Sequence, residues 1–384
     1  MLSSPMTASV LHLAGPALGL AAVAYTLLAW LVVRTRRLRP IATEVPPAQP
    51  GVTVLKPLCG AEPTLYPCLR SFCAQAYPQL QIICGVRDAA DPAVAVVRRL
   101  QAEYPTLALE LVVDPRQHGS SLKVSNLINM MRVARHDILL IADADVRVGP
   151  GYLQRVVGKL ADPAVGLVTC AYRGEPAADA ASVLLASFVN DWFMPSVYVA
   201  AALGPSVFVS GATIALRRRT LEAFGGFAAI ADQLADDYRL GELTRGLGLR
   251  IVLAEDMVTT CIHERSVQDL LRHELRWLRT IRTVQPLGYA CSFVTFGPAV
   301  ALLGCALAGG TPLAVALLGL NVAARVLLHF EVRRDTAIPL SLWVLLINDL
   351  LGLVLWGWSF ASRRVHWRER QYRVSRDGSV QPLV

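Results

Sequence analysis

The 384-residue chain is 54% hydrophobic and only 17% charged, and its mean hydropathy of +0.45 excludes an ordinary soluble cytosolic enzyme. The length accommodates one soluble domain of about 230 residues with a full core, plus membrane segments. The formal net charge is +8. Because the arginines crowd beside apolar runs, the excess points to anionic lipid headgroups rather than nucleic acid.

In chain order, residues 10–33 carry no formal charge, over more than the ~20 residues a membrane helix needs. Arg34, Arg36, Arg37 and Arg39 follow, so the positive-inside bias places the N-terminus outside and the chain from residue 40 in the cytoplasm. The run is too long, and its flanking charge on the wrong side, for a cleaved signal peptide. Residues 41–51, with Pro46, Pro47 and Pro50, form a linker. The eight cysteines are scattered, with no CxxC and no His at zinc-finger spacing, so they read as small buried hydrophobes in a reduced compartment.

Short apolar runs at 52–56, 82–86, 109–113, 138–142 and 165–170 alternate with helical patterns at 64–75, 91–103, 121–134 and 151–160. This alternation predicts an α/β fold with a parallel sheet covered on both faces. Neither a Walker A pattern nor a GxGxxG occurs, which argues against a P-loop ATPase or a dehydrogenase.

Polar groups collect where these strands end. Asp88 follows CGVR, outside the next helix, and is placed to take a base or a ribose hydroxyl; Asp91 suits an N-cap. Lys123, in a first helical turn, can reach a diphosphate or sit solvated at the surface. The central run 138–142 leads into Asp143-Ala144-Asp145. Two hard oxygen ligands there suit Mg²⁺ or Mn²⁺ holding a diphosphate, and a helix-capping pair is the structural alternative. Gly211 lies between two β-type runs, where it gives a ligand close approach or marks a bulge. Asp236-Asp237 opens a helix; one carboxylate caps it and the second exceeds what capping needs.

Residues 266–283 form an amphipathic helix with leucines on one side and Arg272, Arg276, Arg279 and Arg282 on the other, the pattern of a helix lying along a membrane surface. Apolar spans follow at 288–308, 312–330 and 339–360. Arg333 and Arg334 mark the loop before the last span as cytoplasmic, yet a third crossing would put the basic tail outside. Asn348 and Asp349 inside the last span suggest a re-entrant hairpin or a tilted interfacial element, with the tail inside.

The segments VTVLKPLCGAEP, CGVRDAADPA, IADADVRV, VSGATIALRR, ADDY and HELRW, in this order, resemble the ceramide glucosyltransferase family (family 21, family 2-like glycosyltransferases) and its bacterial relatives associated with hopanoid lipids. The resemblance covers residues 52–285, the flanking membrane segments and the WRERQYR tail. It implies a GT-A domain, Rossmann-like with a mainly parallel sheet, facing the cytoplasm between transmembrane helices at both ends, and using a UDP-sugar and a divalent metal. By that resemblance Asp88 binds uridine and Asp143, with Asp145, holds metal and diphosphate. Asp237 is the general base, and Arg276 and Trp277 support the diphosphate and acceptor site. Lys123 and Gly211 match less diagnostic positions. Two departures stand out: His273 replaces the family's Gln or Arg, which makes its contact with the leaving group pH-sensitive, and Asp236-Asp237 replaces Glu-Asp.

The resulting expectation is an inner-membrane inverting hexosyltransferase moving glucose or N-acetylglucosamine from UDP-glucose or UDP-N-acetylglucosamine to a ceramide-like or hopanoid-polyol hydroxyl. The alternatives are a processive polysaccharide synthase and a non-catalytic nucleotide-sugar sensor or transporter. The expected organisation is a membrane helix with basic flank (1–40), a GT-A domain (41–265), an interfacial helix (266–286), membrane segments (287–362) and a basic tail (363–384).

Overall fold

The apolar runs become strands of one eight-stranded sheet: β1 (Val52–Pro57), β2 (Leu80–Val86), β3 (Ala108–Val113), β4 (Ile138–Ala142), β5 (Val146–Arg147), β6 (Val165–Pro176), β7 (Thr213–Arg217) and β8 (Arg250–Ile262). The structure is a computed structural model and describes residues 5–38, 49–177, 179–204, 208–264, 266–334, 342–362, 364–367, 370–375 and 378–382. Most of the predicted linker, 41–48, and the start of the last apolar span, 339–341, lie outside the described residues. The chain forms two units, one of Met1–Arg39, Gly174–Leu203 and Glu264–Glu369, the other of Pro40–Arg173, Gly204–His263 and Arg370–Val384. The segment 174–203, which the sequence places inside an unbroken 41–265 domain, groups with the membrane helices.

In the α/β unit the strand order is β3-β2-β1-β4-β7-β6-β8-β5. The first four strands are parallel, Val54 facing Ile82 on one side and Leu140 on the other. β7 runs antiparallel to both β4 and β6, and β5 antiparallel to β8. The sheet is therefore mixed rather than mainly parallel. The chain leaves this unit after Arg173 and returns at Gly204, without the crossover helix on the sheet that a parallel neighbour of β6 would require. Leu55, Ile83, Leu139 and Ile141 pack with Leu127 and Met130 of the helix Leu122–Met130 to form the core. The basic tail contributes two antiparallel strands, Arg370–Val374 and Val380–Pro382, and Gly378 accepts a hydrogen bond from Leu234 N at 3.1 Å. Residues 370–382 thus belong to the α/β unit.

Among the described residues of the helical unit, four helices are long and apolar enough to cross a membrane: His12–Arg37, Ala180–Leu203, Pro312–Arg333 and Leu342–Ser359. A fifth candidate is the pair Pro286–Thr295 and Gly297–Leu307, bent by 77°. The break falls in this pair; the last apolar stretch is one continuous helix, Leu342–Ser359, which is not the re-entrant hairpin that was one of its two expected forms. Its Asp349 is held by Arg325 at 2.7 and 2.9 Å, and Asn348 donates to Leu184 O at 2.8 Å, so neither residue interrupts it. Ala180–Leu203 contains a π-helical turn, Phe188–Phe193, whose Asp191 accepts from Ser187 and meets His329 Nδ1 at 2.7 Å. Gly15 and Gly304 let two helices approach backbone to backbone, the small-residue contact common between membrane helices.

Candidate active site

Three carboxylates gather around one ammonium at the end of β4. Lys123 enters from the first turn of the helix Leu122–Met130, whose N-cap Ser121 accepts from Val124 N. Its Nζ lies 2.8 Å from Asp143 Oδ1 and 3.3 Å from Asp236 Oδ2. Burial opposes the charge on Lys123, but Asp143, Asp236 and Asp237 outweigh it and hold the pKa above that of a free lysine. The surface-lysine alternative is thereby excluded: the side chain is 19% exposed and doubly ion-paired. Ser120 N and Oγ donate to Asp232 Oδ1, and Ser121 N donates to Ala231 O. These bonds tie the loop before the Lys123 helix to the loop before Asp236 and Asp237.

Asp236 and Asp237 begin the helix Asp236–Gly246, which has no side-chain cap. Asp236, expected as the cap, instead spends its carboxylate on Lys123. Asp237 Oδ1 accepts the N–H of Tyr238 at 2.7 Å, and burial, reinforced by the Asp236 charge, pushes its pKa up to about 7. A Cβ on Gly211 would lie 2.8 Å from Asp237 Oδ2. The space at Gly211 is therefore taken by this carboxylate, a use different from both the ligand approach and the bulge considered from sequence. The antiparallel pairing of β7 with β4 sets Thr213 opposite Ala142 and lets Asp143 N donate to Ala212 O at 3.2 Å.

Burial, with the Asp143 and Glu62 carboxylates nearby, pushes Asp145 up to about 7. That surplus of negative charge is what a bound cation would relieve. Among the described residues no group of three or more His, Cys, Asp or Glu forms a complete ligand set. Two carboxylates that leave positions for diphosphate oxygens and water match the way Mg²⁺ is usually held, so the residues present fit a divalent ion.

Sequence reasoning missed Lys56. It is completely buried in β1, donates to Asp143 O at 2.8 Å and Val146 O at 3.3 Å, and lies 3.9 Å over the Phe72 ring. Burial lowers its pKa to about 8 against the pull of nearby acidic groups. It anchors the Asp143–Ala144–Asp145 loop from beneath by the carbonyls. The only signal in the sequence was a lysine at an inward-facing position of VTVLKPL.

Asp88 is exposed at the end of β2, with Oδ1 accepting from Ala90 N at 2.9 Å. Asp91 accepts from Ala93 N and Gly60 N, but the N-cap of the helix Ala93–Glu103 is Pro92, so Asp91 stands one residue before the cap and ties it to the Gly60 loop. His273, Arg276 and Trp277 belong to the helical unit, on the helix Val267–Val284. There His273 Nδ1 lies 2.6 Å from Glu264 Oε1, burial lowers its pKa despite that carboxylate, and its ring meets Trp277 edge-on at 4.7 Å. Trp277 in turn packs on Phe193 at 5.2 Å.

Residues 16–380 match the family model Glycosyl transferase family 21. Ceramide glucosyltransferase 1 of Caenorhabditis elegans is 24% identical over 247 residues, 63% of this chain and 52% of that protein. Ceramide glucosyltransferase of Gibberella zeae is 31% identical over 143 residues, 35% of this chain and 27% of that protein. The chain thus spans about half the length of the first relative and about a quarter of the second. Among solved structures, mannosyltransferase PcManGT from Pyrobaculum calidifontis in complex with GDP-Man and Mn²⁺ superposes with a TM-score of 0.54 at 22% identity, covering 90% of this chain and 97% of that one. The mixed sheet is a GT-A fold, and the chain belongs to glycosyl transferase family 21.

Proposed function

We propose that the chain is an integral-membrane inverting glycosyltransferase that moves a hexose, glucose or N-acetylglucosamine, from a UDP-sugar to the hydroxyl of a ceramide-like or hopanoid-polyol lipid on the cytoplasmic face of a bacterial inner membrane. The observation that carries this reading is Asp237. It is a half-buried carboxylate whose desolvation, reinforced by the Asp236 charge, pushes its pKa up to about 7, one residue from the Lys123-paired Asp236 and in the same unit as the Asp143–Asp145 pair. A general base works best when its pKa lies near the operating pH.

Asp88 takes the base or ribose hydroxyl of the donor, and Asp143 with Asp145 would hold Mg²⁺ or Mn²⁺. Such an ion, when bound, stabilises negative charge on the departing diphosphate. Lys123 adds a fixed positive charge on the same side. The acceptor oxygen attacks C1 as the C1–O bond to UDP breaks, the hydroxyl proton passes to Asp237, and attack opposite the leaving group inverts C1. Arg276 and Trp277 of the interfacial helix serve the diphosphate and acceptor.

The test is to incubate purified protein in lipid micelles with UDP-glucose or UDP-N-acetylglucosamine and lipid acceptors, with and without EDTA, and to identify products by mass spectrometry. A single-sugar glycolipid, lost in EDTA and restored by Mn²⁺, is expected. Long polymer would establish a processive synthase, and donor binding without any product would establish a sensor or transporter.

A further inference from the structure

The interfacial helix Val267–Val284 buries one stripe, Leu270, Glu274 and Leu278, at four-residue spacing. Leu270 and Leu278 are what such a stripe calls for. Between them Glu274 is completely buried, and neither of its carboxyl oxygens has a hydrogen-bond partner. The helix packs against Ala180–Ser187, Leu342–Ser359 and Arg364–Trp367, all in the helical unit. Buried polar groups are ordinarily hydrogen-bonded, and a carboxyl with both oxygens bare is among the costliest exceptions. Every local rule would place a third leucine at this position. A breach of those rules without a compensating contact inside the protein marks a group whose partner comes from outside.

We infer that Glu274 is an acceptor-recognition residue, its carboxyl hydrogen-bonding the polar head of the lipid acceptor through a hydroxyl or amide group. Burial alone pushes its pKa up to about 8, so near neutrality it is mostly the neutral acid. A neutral carboxyl offers one O–H donor and one carbonyl acceptor side by side. That pair matches a hydroxyl, a vicinal diol or a secondary amide, and it repels a phosphate no more than a leucine would. One residue earlier, His273 Nε2 is also buried without a partner. With Nδ1 directed at Glu264, the nitrogen left bare is the acceptor in the neutral tautomer. Two adjacent unsatisfied polar groups on a helix of this amphipathicity suit a polar head that stays attached to an apolar tail.

The inference rests on the lipid acceptor of the proposed function and deepens it. Three proteins decide it: wild type, Glu274→Leu and Glu274→Gln, each in micelles of defined lipid. For Glu274→Leu, the KM for the lipid acceptor is expected to rise about ten- to a hundredfold, the loss typical of one abandoned buried hydrogen-bonding group. UDP-sugar affinity, measured by titration without lipid, should stay within about twofold. The same variant should melt higher, by on the order of 2–4 °C, because the stripe becomes continuous. Glu274→Gln keeps a donor and an acceptor in the same place and is expected to restore acceptor KM to within a few-fold of wild type. An unchanged acceptor KM in Glu274→Leu, or a loss in Glu274→Gln as large as in Glu274→Leu, overturns the inference. Failure of the wild type to glycosylate any lipid overturns the proposed function instead, so the two failures are distinct.

Discussion

At the scale of single residues, Asp237 joins function to a stability cost. Its folded pKa of about 7 stands above the ordinary carboxylate value of about 3.9 because burial and Asp236 disfavour the charge. The sign of the linkage follows. The folded state binds the proton more tightly, so the favourable contribution is complete below the ordinary carboxylate pKa and is lost as pH rises through about 7. The proposed general-base role requires the opposite state, the carboxylate. We therefore expect kcat to climb as pH rises through about 7 and to fall about tenfold per unit on the acid side. Asp237→Asn should lower kcat by roughly 10²–10⁴-fold with donor affinity nearly unchanged. At pH 8 it should also melt higher than wild type, because the buried charge is gone. Asp236→Asn should be milder in kcat, since Lys123 keeps Asp143 as a partner. If Asp236→Asn were the inactive variant and Asp237→Asn the active one, the base would be Asp236.

At the scale of elements, β4 was legible to the residue: five apolar positions ending at two carboxylates admit little else, and Ile138–Ala142 is the strand observed. The helices after β1, β2 and β3 were also legible, because three- and four-residue apolar spacing survives in the fold. The antiparallel half of the sheet was not. Strand direction there depends on where the chain re-enters after the 174–203 excursion, and no local pattern encodes that. Within the site, the motif residues were visible as types, whereas their partners were not. That Asp236 pairs with Lys123, that Gly211 makes room for Asp237 and that Lys56 anchors the Asp143 and Val146 carbonyls are tertiary facts. Lys56 carries its own prediction. Lys56→Met keeps the volume and the Phe72 contact but leaves the Asp143 and Val146 carbonyls without their donor. The expected loss is about 1–3 kcal/mol in stability, with a fall in kcat larger than any change in donor KM because the Asp143–Asp145 loop loses its anchor. Chemical denaturation and steady-state kinetics on the same preparation measure both, and a stable variant with wild-type kcat would remove Lys56 from the site.

At the scale of the whole molecule, the fold of the tail decides how often the chain crosses the membrane. Segments before residue 174, after 203, before 264 and after 369 all belong to the α/β unit, so, if that unit folds on one side of the membrane, each excursion between them is expected to cross an even number of times. Ala180–Leu203 is a single helix between two such segments and, although apolar enough to span, is expected not to cross; most of it is buried inside the protein. Between 264 and 370 the described residues form three apolar elements, of which two are expected to cross. Arg37, at the basic end of the first helix, pairs with Glu331 near the end of Pro312–Arg333 at 3.3 Å. At the other end, Gly15 meets Gly304, and Gly309 lies beside His12. The expected arrangement therefore returns Pro312–Arg333 to the basic side and makes the bent pair 286–307 the outward limb. Leu342–Ser359 is then the element expected not to cross. Its buried Asp349 and Asn348 are satisfied by Arg325 and the Leu184 carbonyl, and Ser359 at its end meets Tyr289 Oη at 2.7 Å, beside the start of the outward limb. The positive-inside rule assigns the Arg37 side to the cytoplasm. Single cysteines placed in a variant without reactive native thiols should report this arrangement in intact cells. A cysteine at Gly310 should react with a membrane-impermeant maleimide from outside, while cysteines at Arg334 and Ser375 should react only after the membrane is opened. Labelling of the Ser375 position from outside would require an odd number of crossings after the α/β unit and would sink the parity argument; labelling at Arg334 from outside would instead make Leu342–Ser359 a crossing helix and the bent pair re-entrant.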